Sequence, residues 1–351
     1  MRRSVTYPQG SRTWEVPGTL DDMTRTTGEM AALTALAHRQ GGVLLTRQAV
    51  RLGWSPSRIR RALRGQGWTQ VRRGCWAEPA VVVDRMVWLR AILLAHPRWA
   101  VSHRTAAWLH EIELPWTTAN DQAGGRLEFT APAETSAVPL PHARVHRSLL
   151  PEESTTYVSD VRVTKVTRTL ADLLRSSPRE EALVAVESAV SIRPSAADPQ
   201  ANRPAFTHLG AVAAALEAGP QRGVRRGRAL LALADRRSGS PAETVARPHM
   251  HDAGLHPELQ AQVRPLGGRR RSVDFLFRAE GVAVEIEGYA YHGDRAAHDR
   301  DVRRYNELTL CRLIRRSLRF TAMDVYLRPD TMIEHIRHAL TLARSGDELA
   351  G

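Results

Sequence analysis

The spacing of hydrophobic and polar residues predicts three groups of helices and strands along the chain. The first group begins with EMAALTALAHRQ (29–40), whose hydrophobic residues recur at helical spacing until a glycine pair. A short strand (VLL), two short helices (RQAVRLG and PSRIRRALRG) and two strands within WTQVRRGCWAE follow. The turn between those two strands falls at Arg73 and Gly74. The pattern therefore predicts three helices followed by a hairpin.

Two hydroxyl residues predict where the short helices begin. Thr46 precedes RQAVRLG and Ser55 precedes PSRIRRALRG, so each is expected to cap its helix, and Pro56 suits a first helical position. Three helices and a hairpin in this order are typical of a winged helix-turn-helix, a mainly helical DNA-binding fold. We therefore expect such a domain over residues 29–84, after a disordered leader at 1–28.

The third helix and the hairpin are rich in arginine. Ile59 and Leu63 are four residues apart and predict the buried face of the helix, which leaves its arginines outside. A basic helix beside a basic hairpin suits contacts with DNA phosphates and base edges. The alternative is a charged, solvated surface on a small structural domain. The candidate DNA-binding residues are Arg58, Arg60, Arg61, Arg64, Arg72 and Arg73.

The second group, residues 85–237, predicts an α/β middle domain. DRMVWLRAILLAHPRWAVSHRTAAWLHEI favours two helices, GRLEFTAP and ARVHRS favour strands, and further strands and amphipathic helices follow. Ser102 and His103 are adjacent in this group, but no nucleophile motif surrounds them. Ser102 is expected to cap the next helix, so no chemistry is assigned to the pair.

The third group, residues 238–351, predicts a second α/β domain with the element order αβββαβα. ELQAQVRP, RRSVDFLF and VAVEIEGY are its three consecutive strands. Alternate residues of a strand point to opposite faces, so Glu285 and Glu287 share one face of VAVEIE. Asp274 lies on the preceding strand and is expected to be their cross-strand neighbour.

Carboxylates this close together repel one another unless a cation lies among them. Oxygen ligands suit Mg²⁺ or Mn²⁺ rather than Zn²⁺. The alternative is that the acids pair with nearby arginines such as Arg269, Arg270 and Arg271. Because two acids on a hydrophobic strand stand beside a third, we prefer the divalent cation.

The overall charge favours nucleic acid as the partner. The 351 residues include 50 Lys and Arg against 37 Asp and Glu, a net charge of +13. A cation held by acids in a basic protein indicates phosphodiester hydrolysis. The two cysteines lie far apart, and no hydrophobic run is as long as a membrane span. We expect a cytoplasmic protein with no disulfide framework, membrane partner or organic cofactor.

The stretch VDFLF…VAVEIEGYAYHGDRAAHDRDVRRYNELTL resembles the PD-(D/E)XK nuclease superfamily, and within it the very-short-patch-repair endonuclease-like branch. The resemblance covers about residues 238–345 and implies a restriction-endonuclease-like α/β fold. It implies that Asp274 and Glu285 bind the metal, and that Glu243 on the preceding helix joins them. The catalytic residues that it implies are Asp274, Glu285, Glu287 and His292.

Three of these positions keep alternatives open. The superfamily's third-strand motif usually ends in Lys, whereas this chain has Glu287, a candidate for orienting the water or binding a second metal. Glu243 also forms a capping box with Ser240. His292 resembles the histidine of the family's YxYH-like stretch, where it could contact phosphate or act as a general acid; the alternative is a plain loop residue.

The N-terminal stretch GGVLLTRQAVRLGWSPSRIRRALRGQGWTQVRRGCWAEP is similar to the winged-helix domain of AbiEi-type antitoxins, the repressors of type IV toxin–antitoxin operons. VSHRTAAWLH and VTKVTRTLADLL extend the likeness over about residues 30–190, and it implies a cognate toxin as a second partner. The expected function is metal-dependent cleavage or nicking of DNA. The alternative is a transcriptional regulator whose nuclease fold is catalytically inactive.

Overall fold

The protein has mixed α/β structure in two compact units, residues 1–97 and 98–351. None of the described helices is long and apolar enough to cross a membrane. The computed structural model describes residues 20–115, 125–136, 140–194, 201–265, 270–287, 303 and 306–348.

The first unit is a small helical unit with one sheet. Its strands are arranged in the order β1-β3-β2, and both pairs are antiparallel. Ile59 and Leu63 are fully buried, as predicted, in a core with Leu33, Leu44 and Trp76. The elements are α1 (Leu20–Arg39), β1 (Val43–Leu45), α2 (Thr46–Arg51), α3 (Pro56–Gly65), β2 (Thr69–Arg72), β3 (Cys75–Ala77) and α4 (Arg85–Ala95).

The predicted caps of the two short helices have different outcomes. The Ser55 hydroxyl accepts a hydrogen bond from the Arg58 backbone N–H, so the predicted cap of α3 is confirmed. The predicted cap of α2 is wrong, because Thr46 is already the first helical residue. Its hydroxyl instead accepts a hydrogen bond from Trp76 Nε1 at 3.1 Å, and this contact ties α2 to β3.

The second unit begins with a five-stranded sheet in the order β6-β5-β4-β8-β7. Helices α5 to α9 pack into a common core that includes Ala107, Leu170 and Leu216. The elements are β4 (Ala100–Val101), α5 (His103–Leu109), β5 (Leu127–Ala131), β6 (Ala143–Arg147), β7 (Thr155–Val158), β8 (Val161–Thr164), α6 (Val166–Ser176), α7 (Arg179–Val190), β9 (Arg193–Pro194), β10 (Asn202–Arg203), α8 (Leu209–Ala218) and α9 (Val224–Leu231).

The rest of the second unit contains a four-stranded sheet in the order β11-β12-β13-β14, in which only the described β13–β14 pair is parallel. The predicted polar helix before β14 lies mostly outside the described residues. The elements are α10 (Pro241–Asp252), β11 (Glu258–Val263), β12 (Arg271–Phe277), β13 (Val282–Glu287), β14 (Arg316–Thr321), α11 (Ala322–Leu327) and α12 (Pro329–Glu348).

A buried ion pair joins the two parts of the second unit. Glu187 of α7 is fully buried and pairs with Arg247 of α10. The Thr244 hydroxyl and the Asp235 backbone N–H also donate to the Glu187 carboxylate, at 2.7 and 2.8 Å. Because a buried charge needs such partners, α7 and α10 depend on each other.

Candidate functional site

Asp274 lies where strands β12 and β13 separate. Backbone pairing of the two strands runs from Phe277–Val282 to Phe275–Val284. One residue further along β12, the Asp274 carboxylate accepts a hydrogen bond from the Ile286 backbone N–H at 2.8 Å. A side chain thus occupies the space between the strands, next to the residue that separates Glu285 from Glu287.

The alternation of β12 changes at the same point. Val273 and Leu276 pack in one hydrophobic cluster, whereas Phe275 and Phe277 pack in the other. Opposite, in β11, Gln260 has a left-handed backbone with φ of +47°, which is unusual for a residue other than glycine. Such an irregularity changes the direction in which the polar side chains in the middle of β11 and β12 point.

The Gln260 amide bridges two carboxylates. Its Nε2 donates to Glu243 Oε2 at 2.9 Å and to Asp274 Oδ1 at 3.0 Å, while its Oε1 accepts from the Ser272 hydroxyl at 2.7 Å. The bridge holds an acid of α10 beside an acid of β12. We call Glu243, Gln260 and Asp274 the acidic site.

The capping prediction for the start of α10 is confirmed in part, whereas the metal role of Glu243 stays a prediction. The Ser240 hydroxyl accepts a hydrogen bond from the Glu243 backbone N–H, and Glu243 Oε2 accepts one from the Gly239 N–H at 2.7 Å. The same carboxylate lies beside Asp274. Burial, and then the negative charge of Asp274, raise the pKa of Glu243 to about 7. Capping therefore places this carboxylate in the acidic site.

Glu285 and Glu287 lie on the neighbouring strand, β13. Ala283, which shares their face by alternation, packs against Leu308 and Cys311 rather than against α10. Glu285 is buried, and Glu287 is partly exposed and pairs with Arg319 of β14 at 3.0 Å. The pairing of Glu287 with an arginine agrees in kind with the alternative considered from the sequence, although the partner is Arg319 of β14 and not one of the three arginines named there.

The metal remains a prediction. Within the described ranges, no group of three or more His, Cys, Asp and Glu side chains is placed to hold a metal ion. His292 lies outside the described residues. The donor chemistry of the acidic site nevertheless suits Mg²⁺, which proteins commonly hold through one or two carboxylates, with water and substrate phosphates as the other ligands.

The candidate DNA-binding arginines divide by their contacts. The Arg58 guanidinium carbon lies 4.2 Å from the centre of the Trp54 ring, and Arg58 Nη2 lies 3.1 Å from Glu29 Oε2. Part of the charge of Arg58 is therefore used within the fold. Arg64 lies over Trp76 at 5.9 Å. Arg72 is half-buried next to the turn. The candidates with exposed side chains beyond these contacts are Arg60, Arg61 and Arg73.

The structure adds polar groups that the sequence analysis missed. Gln260 was read only as part of a strand, and no local pattern signals its positive φ. Ser102 is the N-cap residue of α5, as predicted, but its side chain makes no capping bond. Its hydroxyl instead hydrogen-bonds to His103 Nδ1 at 2.9 Å. Ser102 is fully buried. The chain matches no protein-family model and no curated protein.

Proposed function

We propose that the protein binds DNA through its first unit and hydrolyses or nicks DNA phosphodiester bonds at the acidic site, with Mg²⁺ or Mn²⁺. The observation that carries the proposal is the pair of carboxylates, Glu243 and Asp274, held side by side where β12 and β13 separate. In this proposal α3 and the β2–β3 hairpin are the recognition helix and wing, and strands β11–β14 form a restriction-endonuclease-like sheet.

In this proposal the residues at and around the acidic site have different roles. Glu243 and Asp274 would hold the cation, with water and substrate phosphates as its other ligands. Among the described residues Glu285 does not form a three-acid group with them. Gln260 fixes the positions of the two carboxylates, and Glu287 or His292 orients the attacking water or the phosphate. A bound divalent cation would supply an activated water and stabilise the charge that develops on the phosphate.

The direct test is plasmid nicking with Mg²⁺ or Mn²⁺. Wild-type protein should nick, and Asp274→Asn, which keeps the side-chain shape, should lose the activity. Glu334→Gln is the matched control, because Glu334 is an exposed acid of α12. Nicking that survives Asp274→Asn would refute the acidic site as the catalytic centre.

Metal binding is tested separately by thermal denaturation of the full-length protein. A ligand that binds only the folded state stabilises it by about 2.7 kcal/mol at a hundredfold excess over Kd. Mn²⁺ should raise the melting temperature of wild type and of Glu334→Gln, but not that of Asp274→Asn. An equal shift in all three proteins would place the cation elsewhere.

DNA binding by the first unit is tested through Arg60 and Arg61. Changing both to Gln should weaken binding to duplex DNA and reduce the dependence of log K on log salt by about one for each lost phosphate contact. Arg39→Gln, at the end of α1, is the control. An unchanged salt dependence would mean that another surface binds DNA.

The alternative is a transcriptional regulator, similar to a type IV antitoxin, with a catalytically inactive nuclease fold. The ion pair of Glu287 with Arg319 favours it, because this acid stands where the superfamily usually has its lysine. Under this alternative the protein binds its operator DNA without cleaving it, and a cognate toxin is a further partner in the cytoplasm. DNA binding without nicking or a Mn²⁺ shift would support it.

A further inference from the structure

A second polar site lies in the second unit, away from the four-stranded sheet. A cavity of about 460 Å³ opens between the ends of β5 and β6, helix α6 and the loop between α8 and α9. This volume is in the range of small-molecule sites. The polar groups that line it include Thr130, His103, His146, Arg147, Arg175 and Arg222.

The charge of the cavity is strongly positive. Arg147, Arg168, Arg175 and Arg222 line it, and Asp172 is the only carboxylate among the described lining residues. Two of the four guanidinium groups share that carboxylate: Arg168 Nε lies 2.9 Å from Asp172 Oδ2, and Arg175 Nη1 lies 3.2 Å from Oδ1. Since Arg168 and Arg175 are both buried, their excess charge faces the cavity under weak solvent screening.

Two buried polar atoms at this cavity have no hydrogen-bond partner among the described residues: Thr130 Oγ1 and Arg175 Nε. Thr130 is fully buried, and the Arg175 side chain is 7% exposed. An unsatisfied buried donor is costly, so such groups are usually completed by a ligand, an ion or water. Both are hydrogen-bond donors, as an anion requires.

The backbone at the cavity is held in an unusual conformation. His103 has φ of +51°, which a residue other than glycine rarely adopts, and its ring stacks on His146 with 3.6 Å between the centroids. Burial lowers the pKa of His103 to about 4, so its ring is neutral at physiological pH. The arginines, rather than this histidine, therefore supply the positive charge.

A glycine brings the α8–α9 loop close to the cavity. A side chain at Gly219 would lie 2.2 Å from Arg175 Nη2. Because Gly219 has no side chain, Arg175 Nη2 can approach the end of α8 and donate a hydrogen bond to the Leu216 carbonyl oxygen at 2.6 Å. The loop that carries Arg222 is thereby held against α6.

We infer that this cavity binds the phosphate group of a small molecule of nucleotide size. Guanidinium groups bind phosphate through charge-assisted hydrogen bonds, and the unpartnered donors of Thr130 and Arg175 provide two further contacts. The inference does not depend on the acidic site or on DNA binding by the first unit.

The test is calorimetric titration of the full-length protein with AMP, with adenosine as the ligand that lacks the phosphate. AMP should bind, adenosine should not, and inorganic phosphate should compete with AMP. Arg222→Gln should weaken AMP binding about tenfold, as expected for the loss of a charged hydrogen bond. Arg225→Gln, an exposed arginine of α9 outside the cavity, should leave it unchanged.

Thr130→Val separates ligand binding from folding. The substitution keeps the shape and removes a buried hydroxyl that has no described partner, so the ligand-free melting temperature should not fall. Affinity for AMP should nevertheless decrease about fivefold. Equal binding of AMP and adenosine, or none at millimolar AMP, would refute the inference. Displacement of AMP by duplex DNA, with the same sensitivity to Arg222→Gln, would assign the cavity to DNA phosphates and refute the small-molecule ligand.

Discussion

Two buried glutamates of the second unit contrast in how their charge is balanced. Glu187 is fully buried, and it has a guanidinium, a hydroxyl and a backbone N–H as partners. Glu243 is 7% exposed, and its neighbours are a backbone N–H, an amide and the carboxylate of Asp274. No arginine, lysine or histidine in the described part of the chain forms an ion pair with Glu243.

The contrast separates a structural acid from a candidate functional one. An acid that already has its cation has little capacity for another. Glu243 instead lies beside a second carboxylate, with a neutral amide between the two, and a divalent ion would relieve the repulsion within such a pair. Burial raises the pKa of both glutamates, but only for Glu243 does a neighbouring negative charge add to the effect.

The largest effect is expected at the structural acid. Glu187→Ala leaves Arg247 buried without its counterion, so the free energy of unfolding should fall by about 3–5 kcal/mol. The measurement is chemical denaturation of the full-length protein. Replacing both partners, as Glu187→Leu with Arg247→Met, should recover only part of the loss, because the Asp235 N–H and the Thr244 hydroxyl also lose this acceptor. A double variant as unstable as the single one would show that the pair is not the cause.

The pH dependence of stability should come from the acidic site. The pKa of Glu243 is raised from 4.5 to about 7, so its folded form binds the proton more tightly than the unfolded form does. This stabilisation is complete below the unfolded pKa and is lost as the pH rises through the folded pKa. In EDTA, the free energy of unfolding should fall by roughly 3 kcal/mol between about pH 4.5 and 7 from this group alone. Glu243→Gln should remove that part of the slope, whereas an unchanged slope would contradict it.

Removing the bridge between the carboxylates should have an intermediate effect. Gln260→Ala leaves Glu243 and Asp274 adjacent without their shared donor, so stability should fall by about 1–3 kcal/mol near neutral pH. At lower pH the protonated Glu243 can itself donate to Asp274, and the loss should be smaller. Urea denaturation at two pH values measures both. A loss that is the same at the two pH values would show that the amide acts only by packing.

The smallest effect is expected at the cap of α10. Ser240→Ala removes the hydroxyl that accepts from the Glu243 N–H, which should cost about 1 kcal/mol. Ser55→Ala at the equivalent position of α3 is the matched control. If capping also positions the Glu243 carboxylate, Ser240→Ala should reduce Mn²⁺ affinity, whereas Ser55→Ala should not.

Local patterns predicted the elements around the acidic site, but not the connections between them. The alternation of VAVEIE correctly predicted that Ala283 lies on the opposite face of β13 from Val284 and Ile286. Ser240 and Glu243 also correctly marked the start of a helix. The role of Gln260 follows from a left-handed residue inside a strand, which no hydrophobic pattern encodes. The pairing of Glu187 with Arg247 joins residues 60 positions apart, and periodicity carries no information about such a contact.

The same limit applies to the cavity. The sequence shows Ser102 and His103 as neighbours at a helix start, but the positive φ of His103 and its stacking on His146 depend on a neighbouring strand. The arginines of α6 read as one face of an amphipathic helix. Arg168 and Arg175 flank Asp172 at local helical spacing, but only the tertiary fold brings Arg147 of β6 and Arg222 of the α8–α9 loop beside them.

The ion pair between α7 and α10 bears on how such a protein can be assembled from modules. Residues 238–351 look like a transferable cassette, because their elements form a complete sheet with flanking helices. A cassette cut at that boundary would keep Arg247 inside and leave Glu187 behind. Recombination that moves the acidic site into another protein would therefore have to carry α7 with it, or replace Arg247 at the same time.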